Sequence, residues 1–132
     1  MDKISVVINI DSDIVIARQQ TRELAKKINF SSSELAGIAA AISELARNIV
    51  TYAKKGKVSA AIIHESGREG ISIIVEDTGP GIPDVNLALQ DGYSTSNSLG
   101  LGLPGVKRLM DHFEIQSNLG KGTIIKLKKW AS

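Results

Sequence analysis

The chain of 132 residues is predicted to fold as an α/β sandwich, in which one mixed, mostly antiparallel sheet carries its helices on one face. Three observations support this prediction. Alternating apolar residues mark five short strands, apolar residues spaced three and four apart mark three helices, and the elements follow the order β-α-α-β-β-loop-α-β-β. The length is that of one domain and no internal repeat is present, so a single domain is expected over residues 1–132.

The first two elements are a strand and a helix. Apolar side chains alternate with others over residues 4–10, as in a strand with one buried face. Asp11 or Ser12 can then cap a helix that continues to about Asn29, with arginine and lysine on its outer side.

A second, longer helix is predicted to begin at "SSSEL" and to end at "KKGK". Its apolar residues form a spine on one side of the helix. They are Leu35, Ile38, Ile42, Leu45, Ile49 and Tyr52.

The rest of the chain alternates between regular and irregular segments. Strands at about 57–64 and 70–77 flank a polar turn, which predicts a hairpin. Residues 78–102 are rich in Gly, Pro, Ser, Asn and Asp, with only a short possible helix near residues 85–89, and so long an irregular span is usually functional or disordered. A helix then begins near Leu103, and two strands joined by a turn complete the chain.

The composition excludes several classes of function. A net charge of +2 and an aromatic content of 4% are too small for electrostatic binding of DNA or for a base-stacking platform. No apolar run approaches the roughly 18 residues of a membrane span, and the first residues lack the apolar region of a signal peptide, so a cytoplasmic protein is expected. The absence of cysteine excludes disulfides, thiolate catalysis and zinc–sulfur sites. His64 and His112 show no ligand pattern and are interpreted as structural.

Glu44 and Asn48 form the first candidate site. At about 100° per residue they lie some 40° apart on the flank of the apolar spine, and the small residues Gly37 and Ala41 above them leave room. An exposed polar face of the helix gives the same pattern, so the pair alone does not distinguish a site from a solvated surface.

Asp77 is the second candidate. Alternation places Ile73, Val75 and Asp77 on one side of the predicted strand, so the carboxylate faces the core, where it needs a partner. Gly79 and Gly81 permit a tight turn and let a flat group approach the backbone. An Asx-turn or a salt-bridged aspartate at the end of a strand explains the same pattern.

Two glycine-rich stretches complete the set of candidates. "GLGLPG", residues 100–105, has the spacing of the dinucleotide fingerprint but does not follow a strand. Glycines before a helix nevertheless expose backbone N–H groups at its positive end, which suits phosphate. In "GKGT", the hydroxyl of Thr123 is predicted to point inward beside Asp77. The alternatives are a capped helix for the first stretch and a common turn for the second.

Taken in order, "ELARN", "DTGPG", "GLGLPG" and "GKGT" resemble the motif series of the GHKL superfamily of ATP-binding proteins. This superfamily has the Bergerat fold and includes gyrase, the ninety-kilodalton heat-shock chaperone, histidine kinases and mismatch-repair proteins of the MutL type. The resemblance covers nearly the whole chain. Within the superfamily, residues 41–111 are similar to the bacterial switch kinases for serine and threonine that act in the stressosome.

The resemblance implies a role for each matching residue. Asn48 would coordinate the Mg²⁺ ion that bridges the triphosphate of ATP, and Glu44 would act as the general base. Asp77 would accept a hydrogen bond from the adenine amino group. The other residues of the pocket would be Gly79, Gly81 and Thr123 around the adenine, and Gly100, Gly102 and Gly105 at the phosphates.

The resemblance also implies a lid and a set of partners. Residues from about 82 to 99 would form the lid. The chain would phosphorylate a serine or threonine of STAS-domain antagonist or scaffold proteins of the stressosome, and its release from them would activate a downstream phosphatase. The alternative is an ATP-gated protein-binding module with slow or no catalysis.

The chain departs from its relatives at three points. Nothing resembles the phosphoacceptor region of a sensor histidine kinase, which argues against histidine autophosphorylation. The transducer domains of gyrase and of the chaperone are missing, so hydrolysis coupled to a large motion is not expected. The last motif carries one threonine, Thr123, where many relatives have two.

Overall fold

The computed structural model describes residues 2–82 and 102–131. The predicted helix near residues 85–89, nearly all of the predicted lid and Gly100 lie outside the described residues.

Five strands and three α-helices, with one π-helical segment, make up the described part of the chain. In order they are β1 (Lys3–Ile8), α1 (Asp11–Ala25), α2 (Ser32–Asn48), the π-helix (Ile49–Ala53), β2 (Gly56–Glu65), β3 (Arg68–Asp77), α3 (Gly102–Leu109), β4 (His112–Asn118) and β5 (Gly122–Trp130). None of these helices is long and apolar enough to cross a membrane.

The strands form one sheet in the order β1-β2-β3-β5-β4. Every pairing among the described strands is antiparallel. The prediction of a mostly antiparallel sheet is thus confirmed, whereas the parallel pair implied by a mixed sheet does not occur among these strands. The reason lies between β1 and β2, where two helices rather than one separate the strands, so the chain re-enters the sheet in the opposite direction.

The core lies between the helices and one face of the sheet, which confirms the two-layer α/β fold. Its side chains alternate along the strands with more exposed ones, as the sequence pattern predicts. The largest fully buried side chains are Ile8, Ile38, Ile42, Leu45, Ile49, Ile71, Ile73 and Leu127.

Helix α1 begins where the sequence predicts but is capped by a different residue. The N-cap is Ile10 rather than Asp11 or Ser12. The Asp13 carboxylate folds back instead, and its Oδ2 accepts hydrogen bonds from the backbone N–H groups of Asn9 at 2.9 Å and Ile10 at 3.1 Å. These hydrogen bonds hold the pKa of Asp13 below its ordinary value, and the one from Asn9 has the larger effect.

Helix α2 has the N-terminus that "SSSEL" predicts. Ser31 Oγ accepts from the Glu34 N–H at 3.0 Å, and Glu34 Oε1 accepts from the Ser31 N–H at 2.8 Å. The regular helix ends at Asn48, and the chain continues as the π-helix. The wider π turn changes the angle between successive side chains. Tyr52, predicted as the last residue of the buried spine, is therefore 41% exposed.

Strands β2 and β3 form the predicted hairpin. Their two-residue turn is Ser66 and Gly67, which have φ angles of 51° and 77°. Positive φ at both positions is the usual geometry of a two-residue hairpin turn. His64 and Glu69 face each other across this hairpin with 3.0 Å between Nε2 and Oε2, which is consistent with a structural histidine.

Candidate active site

Glu44 is buried although it carries a carboxylate. It lies on the inner side of α2 and is 4% exposed. Its Oε1 has no hydrogen-bond donor among the described residues. Arg47 Nη1 lies 4.0 Å from this oxygen, which is an ionic contact but too long for a hydrogen bond. The alternative of an exposed polar face is therefore wrong for Glu44, and an unsatisfied buried carboxylate oxygen requires an explanation.

Asn48 is the last residue of α2, one helical turn beyond Glu44, and is half-buried. The π-helix that begins at the next residue packs against the loop after β3. A Cβ atom on Gly79 would lie only 2.5 Å from the Cβ of Ala53, the last residue of the π-helix. The segment after Asn48 thus packs directly on the loop after Asp77, and only glycine fits there. Single π turns inside helices often occur at functional sites.

Asp77, Thr123 and Ser117 form a row across three strands. Thr123 on β5 lies opposite Asp77 on β3 and opposite Ser117 on β4. Directly opposed residues share a face of the sheet. Thr123 is 7% exposed and follows the same alternation as the core residue Ile125, so this row faces the helices. Thr123 lies beside Asp77 as predicted.

Ser117 lies in this row although the sequence patterns did not single it out. The alternation along β4 does indicate its orientation, because Ser117 lies on the same face of the strand as Phe113 and Ile115, which pack on the core. The short turn between β4 and β5 also fixes the register that sets it opposite Thr123.

Asp77 forms the Asx-turn that the sequence left open, while its contact with a ligand stays a prediction. It is half-buried rather than buried. Its Oδ1 accepts a hydrogen bond from the Gly79 N–H at 2.9 Å, which is the Asx-turn. The structure shows no donor for Oδ2 within residues 2–82 and 102–131, so this oxygen can accept a hydrogen bond from a ligand.

The loop after Asp77 is fixed against the turn between β4 and β5. Gly81 has a φ of 82°, and a Cβ atom at this position would lie 2.5 Å from the Asn118 carbonyl oxygen. The Pro80 carbonyl accepts from the Gly120 N–H at 2.9 Å, and the Ile82 N–H donates to Ser117 Oγ at 2.7 Å. These contacts explain the need for glycine at position 81, while contact of Gly79 and Gly81 with adenine stays a prediction.

Helix α3 carries the described part of the predicted phosphate-binding stretch. Gly102 is its first residue, with a φ of 68°, and Gly105 is buried in its first turn. At the other end, Leu109 packs on α2, where its Cδ2 would lie 3.3 Å from a Cβ atom on Gly37. The room predicted above Glu44 on α2 is therefore occupied by α3.

The donor groups present fit magnesium held jointly with a nucleotide. No cluster of three or more His, Cys, Asp or Glu residues occurs in the part of the chain that the structure describes. Mg²⁺ does not require such a cluster, because it is usually held by one or two protein groups together with substrate phosphates. The half-buried amide of Asn48, one helical turn from the buried carboxylate of Glu44, is a suitable single ligand.

A cavity of about 590 Å³ lies on the opposite face of the sheet. Its walls include the outward-facing Val7 and Ile124, and Asp77 and Thr123 at the strand ends. Glu44 and Asn48 are not among its lining residues, so this cavity does not join the two ends of the predicted nucleotide site.

Comparison with known proteins identifies the family of the chain. The profile of the histidine kinase-like ATPase domain matches residues 11–129. The chain is 50% identical over 129 residues to the serine/threonine-protein kinase RsbT of Bacillus subtilis (strain 168), covering 98% of this chain and 97% of the relative. It is 30% identical over 118 residues to the anti-sigma F factor of Caldanaerobacter subterraneus, covering 86% of this chain and 82% of that protein.

Two solved structures share the fold. The RsbU and RsbW domains of a Mycobacterium tuberculosis protein match with a TM-score of 0.66 and 22% identity, over 98% of this chain and 32% of that one. The mycobacterial sensor histidine kinase MprB matches with a TM-score of 0.59 and 17% identity, over 96% of this chain and 97% of that one. The chain belongs to the histidine kinase-like ATPase family, in which it is an ATP-binding serine/threonine protein kinase of the RsbT type.

Proposed function

We propose that this kinase transfers the γ-phosphate of ATP to a serine or threonine of a STAS-domain antagonist or scaffold protein in a cytoplasmic partner-switching stress pathway. Its release from that protein then allows it to activate a downstream phosphatase. The observation that carries the catalytic part is Glu44, which lies one turn before Asn48 and whose buried Oε1 has no hydrogen-bond donor in the described part of the chain. A pocket that only held nucleotide would gain nothing from an unsatisfied buried carboxylate, which lowers stability.

Glu44 is the general base of this proposal. The acceptor hydroxyl oxygen bonds to the γ-phosphorus, the bond from that phosphorus to the bridging oxygen of ADP breaks, and the hydroxyl proton passes to Glu44. Asn48 would hold Mg²⁺, which neutralises charge on the phosphates when it is bound. Phosphoryl transfer depends mainly on alignment and charge, so the base contributes about 10² to 10⁴ fold of the rate.

The remaining predicted residues bind the two ends of ATP. Asp77 Oδ2 accepts a hydrogen bond from the adenine amino group, and Thr123 lines the pocket beside it. Gly79 and Gly81 lie against the purine. The first turn of α3, with Gly102 and Gly105, would direct backbone N–H groups and the positive end of the helix at the phosphates. Gly100, outside the described residues, is proposed as a phosphate-binding residue on the sequence motif alone.

A labelling experiment tests this function. The purified protein is incubated with γ-labelled ATP, Mg²⁺ and a purified STAS-domain protein from the same organism, and the label is followed on a gel and as free phosphate. Label on a serine or threonine of the STAS protein is expected. Free phosphate without protein label would identify an ATPase, and binding without either product would identify a module.

A second candidate function is an ATP-gated protein-binding module. The 30% identity to an anti-sigma F factor, spread over 86% of this chain, favours it. In this case ATP shapes a surface that captures a protein partner, and catalysis is slow or absent. Capture that depends on ATP but is unchanged in a Glu44→Gln variant would support the module over the kinase.

A further inference from the structure

We propose that Arg47 selects the acceptor protein by binding a carboxylate that lies within two residues of the phosphorylated serine or threonine. This inference deepens the proposed kinase function and rests on it, since it takes Glu44 as the base that meets the acceptor hydroxyl. The acceptor segment is then of one chemical class, in which an aspartate or glutamate stands beside the hydroxyl residue.

Arg47 places a guanidinium beside the proposed base. Its Nη1 lies 4.0 Å from Glu44 Oε1. The Arg47 side chain is 44% exposed, whereas Glu44 is buried. The guanidinium is therefore accessible to a protein segment whose hydroxyl reaches Glu44.

The donors of Arg47 are free to bind another group. A guanidinium has five N–H donors. The contact with Glu44 is too long for a hydrogen bond, and no hydrogen bond to this guanidinium occurs within residues 2–82 and 102–131. An ion pair at this distance on a half-exposed side chain is weak. The guanidinium can therefore turn to a second carboxylate and bind it through two parallel hydrogen bonds.

Positions on α2 separate Arg47 from the proposed metal ligand. Successive residues of an α-helix are turned by about 100°, so Arg47 lies about 60° to one side of Glu44 and Asn48 about 40° to the other. In the proposed site the metal and the phosphates belong to the Asn48 side. In-line transfer places the acceptor opposite the leaving ADP. Arg47 would thus lie on the acceptor side of Glu44 rather than on the nucleotide side.

The distances limit where the recognised carboxylate stands. A hydroxyl that gives its proton to Glu44 Oε1 must lie within about 3.2 Å of that oxygen. The hydroxyl oxygen is then at most about 7 Å from Nη1 of Arg47. Neighbouring Cα atoms are about 3.8 Å apart, so an aspartate or glutamate one or two residues away can reach the guanidinium. The acceptor then supplies a donor to Glu44 and a carboxylate to Arg47.

Steady-state kinetics with the purified STAS-domain protein test this recognition. The labelled serine or threonine is identified by mass spectrometry, and an aspartate or glutamate within two residues of it is changed to the corresponding amide. Transfer is measured for the wild type, Arg47→Gln and Arg22→Gln, each with both forms of the acceptor. Arg22 is an exposed arginine on α1 and controls for the loss of one positive charge.

The KM for the acceptor is the quantity that this role changes. Arg47→Gln is expected to raise it about tenfold, the effect of one charge-assisted hydrogen bond, with little change in the KM for ATP. The amide form of the acceptor should raise it by a similar factor with the wild-type kinase. With Arg47→Gln the two forms of the acceptor should be equivalent, because the interaction is already lost. Arg22→Gln should behave as the wild type.

Several outcomes would overturn the inference. One is an acceptor without a carboxylate within two residues of the labelled site. If Arg47→Gln loses activity equally with both forms of the acceptor, Arg47 only supports Glu44, and if it raises the KM for ATP instead, Arg47 binds the nucleotide. An equal effect of Arg22→Gln would reduce the role to overall charge.

Failure of the wild type to label the STAS-domain protein would instead refute the proposed kinase function. Folding of each variant is checked by circular dichroism. If Arg47→Gln does not fold, Arg47→Lys serves in its place. A lysine keeps the charge but cannot form two parallel hydrogen bonds with a carboxylate, so it should raise the KM for the acceptor by a smaller factor.

Discussion

At the residue scale, Glu44 and Glu114 are the same side chain in opposite surroundings. Glu114 is exposed on β4, whereas Glu44 is buried and its Oε1 has no hydrogen-bond donor within residues 2–82 and 102–131. Glu44→Gln preserves the shape of the side chain but cannot take a proton from the acceptor. We expect it to bind ATP normally and to slow phosphoryl transfer by about 10² to 10⁴ fold. Single-turnover transfer assays with a nucleotide titration measure both quantities. Glu114→Gln is the control, and transfer by Glu44→Gln at the wild-type rate would remove Glu44 from the role of base.

Asp77→Asn separates the turn from the ligand contact. An asparagine keeps an oxygen that can accept the Gly79 N–H, so the Asx-turn is retained. The charged acceptor for the adenine amino group is lost. We expect ATP affinity to fall by roughly 1.5 to 3 kcal/mol, measured by calorimetry.

Asp111→Asn is the matched control for this measurement. Asp111 also accepts a backbone hydrogen bond, from the Trp130 N–H at 2.8 Å, but it is absent from the candidate site. Equal ATP affinity of Asp77→Asn and Asp111→Asn would show that Asp77 does not contact the nucleotide.

At the scale of elements, apolar alternation and turn residues predicted the strands, whereas a change of helix type and the pairing of strands gave no signal in the apolar spacing. Alternation and turn residues were enough for the five strands and the hairpin, because each signal lies within a few neighbouring residues. Exposure of Tyr52 follows from the switch to a π turn, which no apolar spacing marks. Ser117 lies beside Thr123 only through the pairing of β4 with β5, and the alternation along β4 alone indicates just which face of the sheet it occupies.

The N-terminus of α1 gives a prediction about acid stability. Hydrogen bonds from Asn9 and Ile10 lower the pKa of Asp13 from about 3.8. The folded state therefore holds the ionised carboxylate more firmly than the unfolded chain. This contribution to the free energy of unfolding is fully present above about pH 4 and is lost as the pH falls through the lowered native pKa.

Urea unfolding at a series of pH values checks this contribution. Asp13→Ala should be less stable than the wild type at neutral pH, with the difference shrinking at the acid end of the series. Asp11→Ala, in the same helical turn, controls for the loss of a negative charge near the helix N-terminus. Wild-type and Asp13→Ala curves that stay parallel down to the lowest pH would contradict the role of these hydrogen bonds.

At the scale of the whole molecule, the candidate site draws on parts of the fold that are far apart in the sequence. Asn48 is the last residue of α2, Asp77 is the last residue of β3 and Gly102 is the first residue of α3. The π-helix after Asn48 packs on Gly79, in the loop after Asp77. The fold class follows from the pattern of elements, but the packing of the π-helix on the loop after β3 is not contained in a one-dimensional pattern. A ligand that touches all three parts can bind only the folded chain.

Such a ligand should raise the stability of the whole domain. By mass action, Mg²⁺ and ATP at 100 times the dissociation constant are expected to add about 2.7 kcal/mol, or roughly 5 to 15 °C in the thermal midpoint. If Asn48 holds the metal, chelation of Mg²⁺ by EDTA should reduce this shift in the wild type. The Asn48→Ala variant should show only a small shift with ATP, and EDTA should not change it further. Scanning calorimetry of both proteins, with and without EDTA, makes the comparison. If EDTA leaves the wild-type shift intact, the nucleotide binds without a metal on Asn48, because bound Mg²⁺ would then add nothing to the stability of the folded state.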